Sequence, residues 1–108
     1  MSSQHFAYIW EYTIDASLRD DFLNAYAPEG EWAKLMSRHP GYISTCLLHD
    51  TENGNRYVTV DYWVSKSDRD SFRSMFSDEY NQLDQKCEHF TAVELFIGDF
   101  FVVDGSAA

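Results

Sequence analysis

Asp61 stands in the middle of an apolar and aromatic run, Arg56-Tyr57-Val58-Thr59-Val60-Asp61-Tyr62-Trp63-Val64, where a solvated carboxylate is out of place. Desolvation raises a carboxyl pKa toward neutrality, and a carboxylate tuned in that way is a useful general base. His49 closes the preceding run, Tyr42 to His49, and imidazole exchanges protons near neutral pH. Asp61 and His49 are therefore the candidate catalytic residues. Each also has an ordinary structural reading. Asp61 could pair with Arg56, Arg73 or a tyrosine, and a strand-end histidine commonly faces solvent. Glu11 interrupts a second aromatic run, Tyr8 to Tyr12, where a salt bridge at the surface or an interface is its expected role. Trp10, Tyr12, Tyr57 and Trp63 are candidate substrate-binding walls for π-stacking, with tyrosine hydroxyls as donors. Trp32 follows the break Ala27-Pro28-Glu29-Gly30 and could act as a lid. Packing of helices on a sheet would use the same rings.

Other chemistries lack support. His5, His39, His49 and His89 show no metal-ligand spacing, so no metal site is expected. His5 and His39 fall at element ends and are expected to be exposed. There is no glycine-rich phosphate loop and no nucleophile elbow, so no nucleotide cofactor is indicated. Cys46 and Cys87 lack CxxC spacing and read as reduced, partly buried thiols. Met1-Ser2-Ser3-Gln4-His5 is not a basic segment leading into an apolar one, and no run approaches the ~18 apolar residues of a membrane helix. A cytoplasmic address is the expectation, with a frayed tail at Gly105-Ser106-Ala107-Ala108.

These residues must be positioned by strands and helices. Phe6 to Ile14 alternates with the two-residue period of a strand. Asp15-Ala16-Ser17 offers helix caps, and Leu18, Phe22, Ala25 and Tyr26 share a helical face. A shorter helix presents Trp32, Leu35 and Met36 and stops at His39-Pro40-Gly41. Tyr42–His49 and Arg56–Val64 are the next strands, joined by a loop containing Asn53-Gly54, a hairpin signal. Ser65 caps a helix running to Cys87, with a kink expected at Ser77-Asp78. Thr91–Val103 is the last strand, and Gly98 within it signals a bulge. The order is β-α-(α)-β-β-α-β, a ferredoxin-like split arrangement of the α+β class with an antiparallel sheet.

At 108 residues the chain is one domain, 1–108, with an ordered core over about 5–104. Eighteen acidic against eight basic residues give a net charge of −10. That excludes nucleic acid as an expected partner, because phosphate binding needs a Lys/Arg footprint. It equally disfavours an anionic membrane surface. Yet the chain is 44% hydrophobic and carries 8 Phe, 7 Tyr and 3 Trp, far from the composition of disorder. So many rings exceed what one small core needs, which points to a ligand cavity or a subunit interface. Pairing the hairpin with Asp50 opposite Arg56 puts Tyr42, Cys46, Leu48, Val58, Val60, Tyr62 and Val64 on one face. Ile43, Thr45, Leu47, His49, Tyr57, Thr59, Asp61 and Trp63 fall on the other. Neither face suits water, so helices are expected on one and an identical chain, in a two-fold dimer, on the other.

The aromatic first strand Tyr8-Ile9-Trp10-Glu11-Tyr12, the helix exit His39-Pro40-Gly41-Tyr42 and the segment Arg56 to Ser65 with Phe72 beyond it carry a resemblance. Over residues 6–103 the sequence resembles the antibiotic biosynthesis monooxygenase superfamily of dimeric α+β barrels. The resemblance implies a homodimer that oxidises a small phenolic or quinol-type aromatic without metal or flavin. The substrate is deprotonated in a water-poor pocket, and its carbanion reduces O₂ directly. The superfamily also holds isomerases and haem-degrading oxygenases, and a non-catalytic ligand-binding module is a further alternative. Haem-degrading members use a first-strand Asn, a helical Trp and a His ten residues later. Trp10, Met75 and Gln85 occupy those places here, so that chemistry is not expected, although His89 lies nearby. The charge also disfavours strongly anionic substrates such as sugar phosphates and tilts the choice toward neutral aromatics.

Overall fold

Strand β1, Phe6–Ile14, runs through the centre of a four-stranded antiparallel sheet in the order β2-β3-β1-β4, with β2 at Tyr42–His49, β3 at Arg56–Trp63 and β4 at Thr91–Phe101. The computed structural model describes residues 5–103. The sequence readings of Met1–Gln4, of Asp104 and of the tail beyond it lie outside the described residues. Helices α1 (Arg19–Tyr26) and α2 (Glu31–Met36) connect β1 to β2, and α3 (Lys66–Met75) and α4 (Ser77–Cys87) connect β3 to β4. The α+β ferredoxin-like expectation is met. None of these helices is long and apolar enough to cross a membrane.

Local chemistry sets the boundaries. Asp15 accepts the Ser17 N–H at 2.9 Å and opens a short 3₁₀ turn, Ala16–Leu18, ahead of α1. Ser65 caps α3 by accepting the Asp68 N–H at 3.1 Å. The long helix expected from Ser65 to Cys87 is broken at Phe76, one residue before the anticipated kink. The β2–β3 register matches the expected pairing from Ser44↔Tyr62 to His49↔Tyr57. It slips between Tyr42 and Ser44, so Tyr42 pairs with Trp63. The regular alternation had put Tyr42 on the Cys46 face. The irregularity at Ile43 instead packs the Tyr42 ring on Trp63, 5.5 Å between centroids. A second irregularity falls at Gly98, where φ is 154°, a conformation that side-chain-bearing residues rarely adopt.

The core lies between the sheet and the helices and is mostly aromatic. Phe22, Tyr12, Tyr26 and Tyr57 form one cluster with Cys87 and Phe90, and Phe6, Tyr8, Trp63 and Phe72 form another with Leu35 and Met36. Trp10, Trp32 and Leu83 touch both. His39, expected in solvent, is only 6% exposed. Its Nδ1 accepts the Gly41 N–H at 3.0 Å, and its ring meets Trp63 edge-on. Gly41 is needed there: a Cβ at this position would lie 2.4 Å from the Asp68 side chain. Both cysteines are free thiols, Cys87 buried and Cys46 half-buried.

The opposite face of the sheet carries no helix. Leu48, Val93, Leu95 and Phe100 alternate out of phase with the core positions and are between 45% and 49% exposed. Cys46, Val58 and Tyr62 beside them are half-buried. At the margin of this face Arg56 binds Glu11 at 2.7 Å and Asp50 at 3.0 Å. The salt bridge expected of Glu11 is thus present.

Candidate active site

Two-residue alternation sends Tyr8, Trp10 and Tyr12 of β1, Thr59, Asp61 and Trp63 of β3 and Thr45 of β2 toward the helices. The helices do not fill the space above them. A cavity of about 310 Å³ remains, closed on the far side by Trp32 and Met36 of α2, Phe72 of α3 and Tyr80 of α4. Cavities of this size take small organic ligands, and an aromatic lining with a few polar groups is their usual make-up.

Asp61 is the carboxylate at the base of this space, 7% exposed. The Thr45 hydroxyl donates to its Oδ1 at 2.7 Å, and Tyr42 hydroxyl and Thr45 Oγ1 lie 2.7 Å apart. Because the Thr45 proton is spent on Asp61, Tyr42 must donate to Thr45, giving a relay Tyr42 to Thr45 to Asp61. Among the described residues no cation pairs with Asp61, and neither Arg56 nor Arg73 reaches it. Burial pushes its pKa up to about 7, with the Thr45 bond opposing the rise. A carboxyl so placed is divided between acid and base at neutral pH. Burial also pushes the Tyr12 hydroxyl up, with Tyr26 beside it adding to the rise, so Tyr12 can donate a proton bond but cannot serve as the base.

Of the other candidates, Trp10, Tyr12, Trp32 and Trp63 line the cavity with Asp61. Trp10 lies nearly parallel to Tyr12 at 6.4 Å, and Trp32 meets Tyr80 edge-on at 5.0 Å. The indole N–H groups of Trp32 and Trp63 are buried and have no acceptor among the described residues. Unpaired buried donors cost free energy. His49 and Tyr57 do not line the cavity. They share the Asp61 face but sit toward the hairpin, stacked on each other at 4.3 Å and 6°. His49 Nε2 lies 2.9 Å from the Gly54 carbonyl oxygen, and the Tyr57 hydroxyl accepts from Arg19 at 2.6 Å. Among the described residues no group of three or more His, Cys, Asp or Glu could hold a metal ion.

Several lining groups were not proposed as site residues from the sequence. Tyr8 shares the alternation of Trp10 and Tyr12, so its phase already marked it. Thr45 belongs to the Asp61 face by the hairpin register, and a short polar side chain opposite a buried acid is the signal. Arg69 and Arg73, one helical turn apart, share a face of α3 with access to the sheet. Nothing in their spacing told them from solvated charges, because their partners come from other elements.

The fold has known counterparts. SnoaB, a cofactor-independent oxygenase from Streptomyces nogalater, superposes in a mutant form with a TM-score of 0.72 at 15% identity, over 97% of this chain and 98% of its own. A candidate antibiotic biosynthesis monooxygenase from Bordetella bronchiseptica gives 0.76 at 17% identity, covering 94% and 99%. Another from Nitrosomonas europaea gives 0.68 at 13%, covering 99% and 94%. At these identities the likeness is one of fold. No curated protein sequence matches the chain. Residues 6–92, from the first strand to the start of the last, match the antibiotic biosynthesis monooxygenase family, and the chain belongs to that family.

Proposed function

We propose that the protein is a cofactor-independent monooxygenase that oxidises a small phenolic or quinol-type aromatic in the cavity beside Asp61. The observation that carries the reading is a lone buried carboxylate, balanced near neutral pH, facing an aromatic-walled space. Asp61 removes a proton from the substrate, and the electron-rich carbanion passes electrons to O₂. For an anthrone the balance closes without any other reductant. The methylene carbon becomes a carbonyl, one oxygen atom enters the quinone, and the second leaves as water. The Tyr12 hydroxyl, in the cavity wall, is suited to hold the developing oxyanion. Family membership and the fold shared with SnoaB support this chemistry.

The experiment is oxygen uptake by the purified protein with a panel of quinols and anthrones. One O₂ consumed per substrate oxidised is the expected result. Binding without uptake above the buffer rate would replace the oxygenase reading with a ligand-binding module, and turnover without oxygen would replace it with an isomerase.

The reading includes a homodimer in which two helix-free sheet faces meet. Covering apolar area is worth ~25 cal/mol per Å², and half-exposed Leu48, Val93, Leu95 and Phe100 would all gain. Sedimentation should give a species of twice 12.6 kDa at micromolar concentration. Leu95→Arg, which places a charge on the β4 side of that face, should shift it to monomer. A parent chain sedimenting as a folded monomer would refute the dimer.

A further inference from the structure

We infer that the aromatic taken by this cavity carries a single carboxylate, held at the cavity mouth by Arg73 with Tyr8 and Tyr80, while its phenolic ring lies inward beside Asp61. The inference rests on the cavity being the substrate site. Two arginines line it, and they differ in one respect. Arg69 is 5% exposed and fully engaged: Nη1 and Nη2 donate to Asp99 at 3.0 and 3.1 Å, and Nε donates to Asp70 at 2.9 Å. Arg73 has no carboxylate within salt-bridge distance among the described residues. Its Nη1 makes a long contact of 3.4 Å to the Tyr8 hydroxyl, and its guanidinium lies 4.9 Å from the centre of the Tyr80 ring. Most of its five N–H donors are therefore free for a ligand. A guanidinium held by aromatic groups, with its fork open, is suited to bidentate capture of a planar carboxylate.

Burial orients the ligand. Asp61 is buried while Arg73 is exposed, so the carboxyl marks the deep end and the guanidinium the mouth. Tyr8 joins the two ends, for its backbone is registered opposite Asp61 and its hydroxyl meets Arg73. A ring lying along Tyr8 places its anionic substituent in the wet mouth, where little desolvation is required. A carboxylate beside Asp61 would instead repel the base. Asp84 and Glu94 also line the cavity, without pairing to Arg73, and they set the limit of one negative charge. A phosphate ester would meet two carboxylates with one guanidinium to offset it. The chain's net charge of −10 repels anions at a distance, but salt screens that repulsion beyond about a Debye length, whereas Arg73 acts at contact.

The test compares 1,8-dihydroxyanthrone with its 3-carboxylic acid, titrated under nitrogen and read by quenching of tryptophan fluorescence. The parent protein should bind the acid at least tenfold more tightly than the neutral compound. Arg73→Met should reduce that ratio below threefold by weakening the acid alone, with an unchanged circular dichroism spectrum, and Arg73→Lys should retain part of it. A ratio near one in the parent, a tenfold ratio surviving in Arg73→Met, or no binding of either compound would overturn the inference. Binding is read without oxygen, so a protein that shows the preference but consumes no O₂ would defeat the oxygenase reading and leave this one standing.

Discussion

Asp61→Asn is expected to lower kcat/KM for anthrone oxidation by roughly 10²–10⁴-fold, the range that a positioned general base supplies. The amide keeps the shape of the carboxyl and its acceptor for the Thr45 hydroxyl, so ligand affinity should stay within about threefold. Rate and binding must therefore separate. The same substitution should raise stability, and the sign follows from the proton balance. Folded Asp61 holds its proton up to about pH 7, whereas the unfolded chain releases it near the ordinary value of 3.8. Between those values the folded state binds more protons, so stability declines as pH rises from ~4 to ~7 and stays lower above. The gap sets an upper bound of about 4 kcal/mol, at ~1.4 kcal/mol per pH unit. Denaturant unfolding should find Asp61→Asn close to the parent at pH 4 and more stable by a few kcal/mol at pH 8. A variant that is both less active and more stable is the mark of a group kept for chemistry at the expense of the fold.

Phe22→Ala should have the largest effect on stability, a loss of about 3–5 kcal/mol. Its ring has 0% exposure and is packed by three others: stacked on Tyr26 at 4.6 Å, tilted against Tyr57 at 4.9 Å and edge-on to Tyr12 at 5.6 Å. The helix and sheet that carry these rings cannot close over the missing volume without moving Tyr12 and Tyr26, both cavity walls. A domain of this size has ~5–15 kcal/mol to lose. Scanning calorimetry should therefore show Tm lowered by about 15–30 °C. A fall of under 5 °C would mean that the cluster relaxes and that the aromatic core is less tightly packed than its geometry implies.

The aromatic excess that distinguishes this sequence divides along the alternation of its strands. Phe22 and Phe90 serve the core, Tyr26, Phe72, Trp10, Trp32 and Trp63 also serve the cavity, and Tyr62 and Phe100 face the side without helices. Most of the fold was legible because period-two runs, Asn53-Gly54, His39-Pro40-Gly41 and the Ser65 cap are local signals with local causes. The Asp61 environment was legible for the same reason, since a carboxylate inside an apolar strand is conspicuous in one dimension. What escaped depends on contacts between distant elements. The irregularity at Ile43 moved Tyr42 to the Asp61 face and created the relay through Thr45, and no residue there announces it. His39 is buried against Trp63 of β3, a contact that its neighbours in sequence do not announce. His49 has the right face but the wrong end of the strand, a distinction that alternation alone does not make.

The role of Asp61 as the base is tested by the pH dependence of kcat/KM for oxygen consumption. With 1,8-dihydroxyanthrone as substrate, the rate constant should rise with a slope of one through a midpoint near pH 7, because only the ionised carboxylate accepts the proton. The limb should be missing from Asp61→Asn. A profile flat between pH 5 and 9, or the same limb retained in Asp61→Asn, would contradict it.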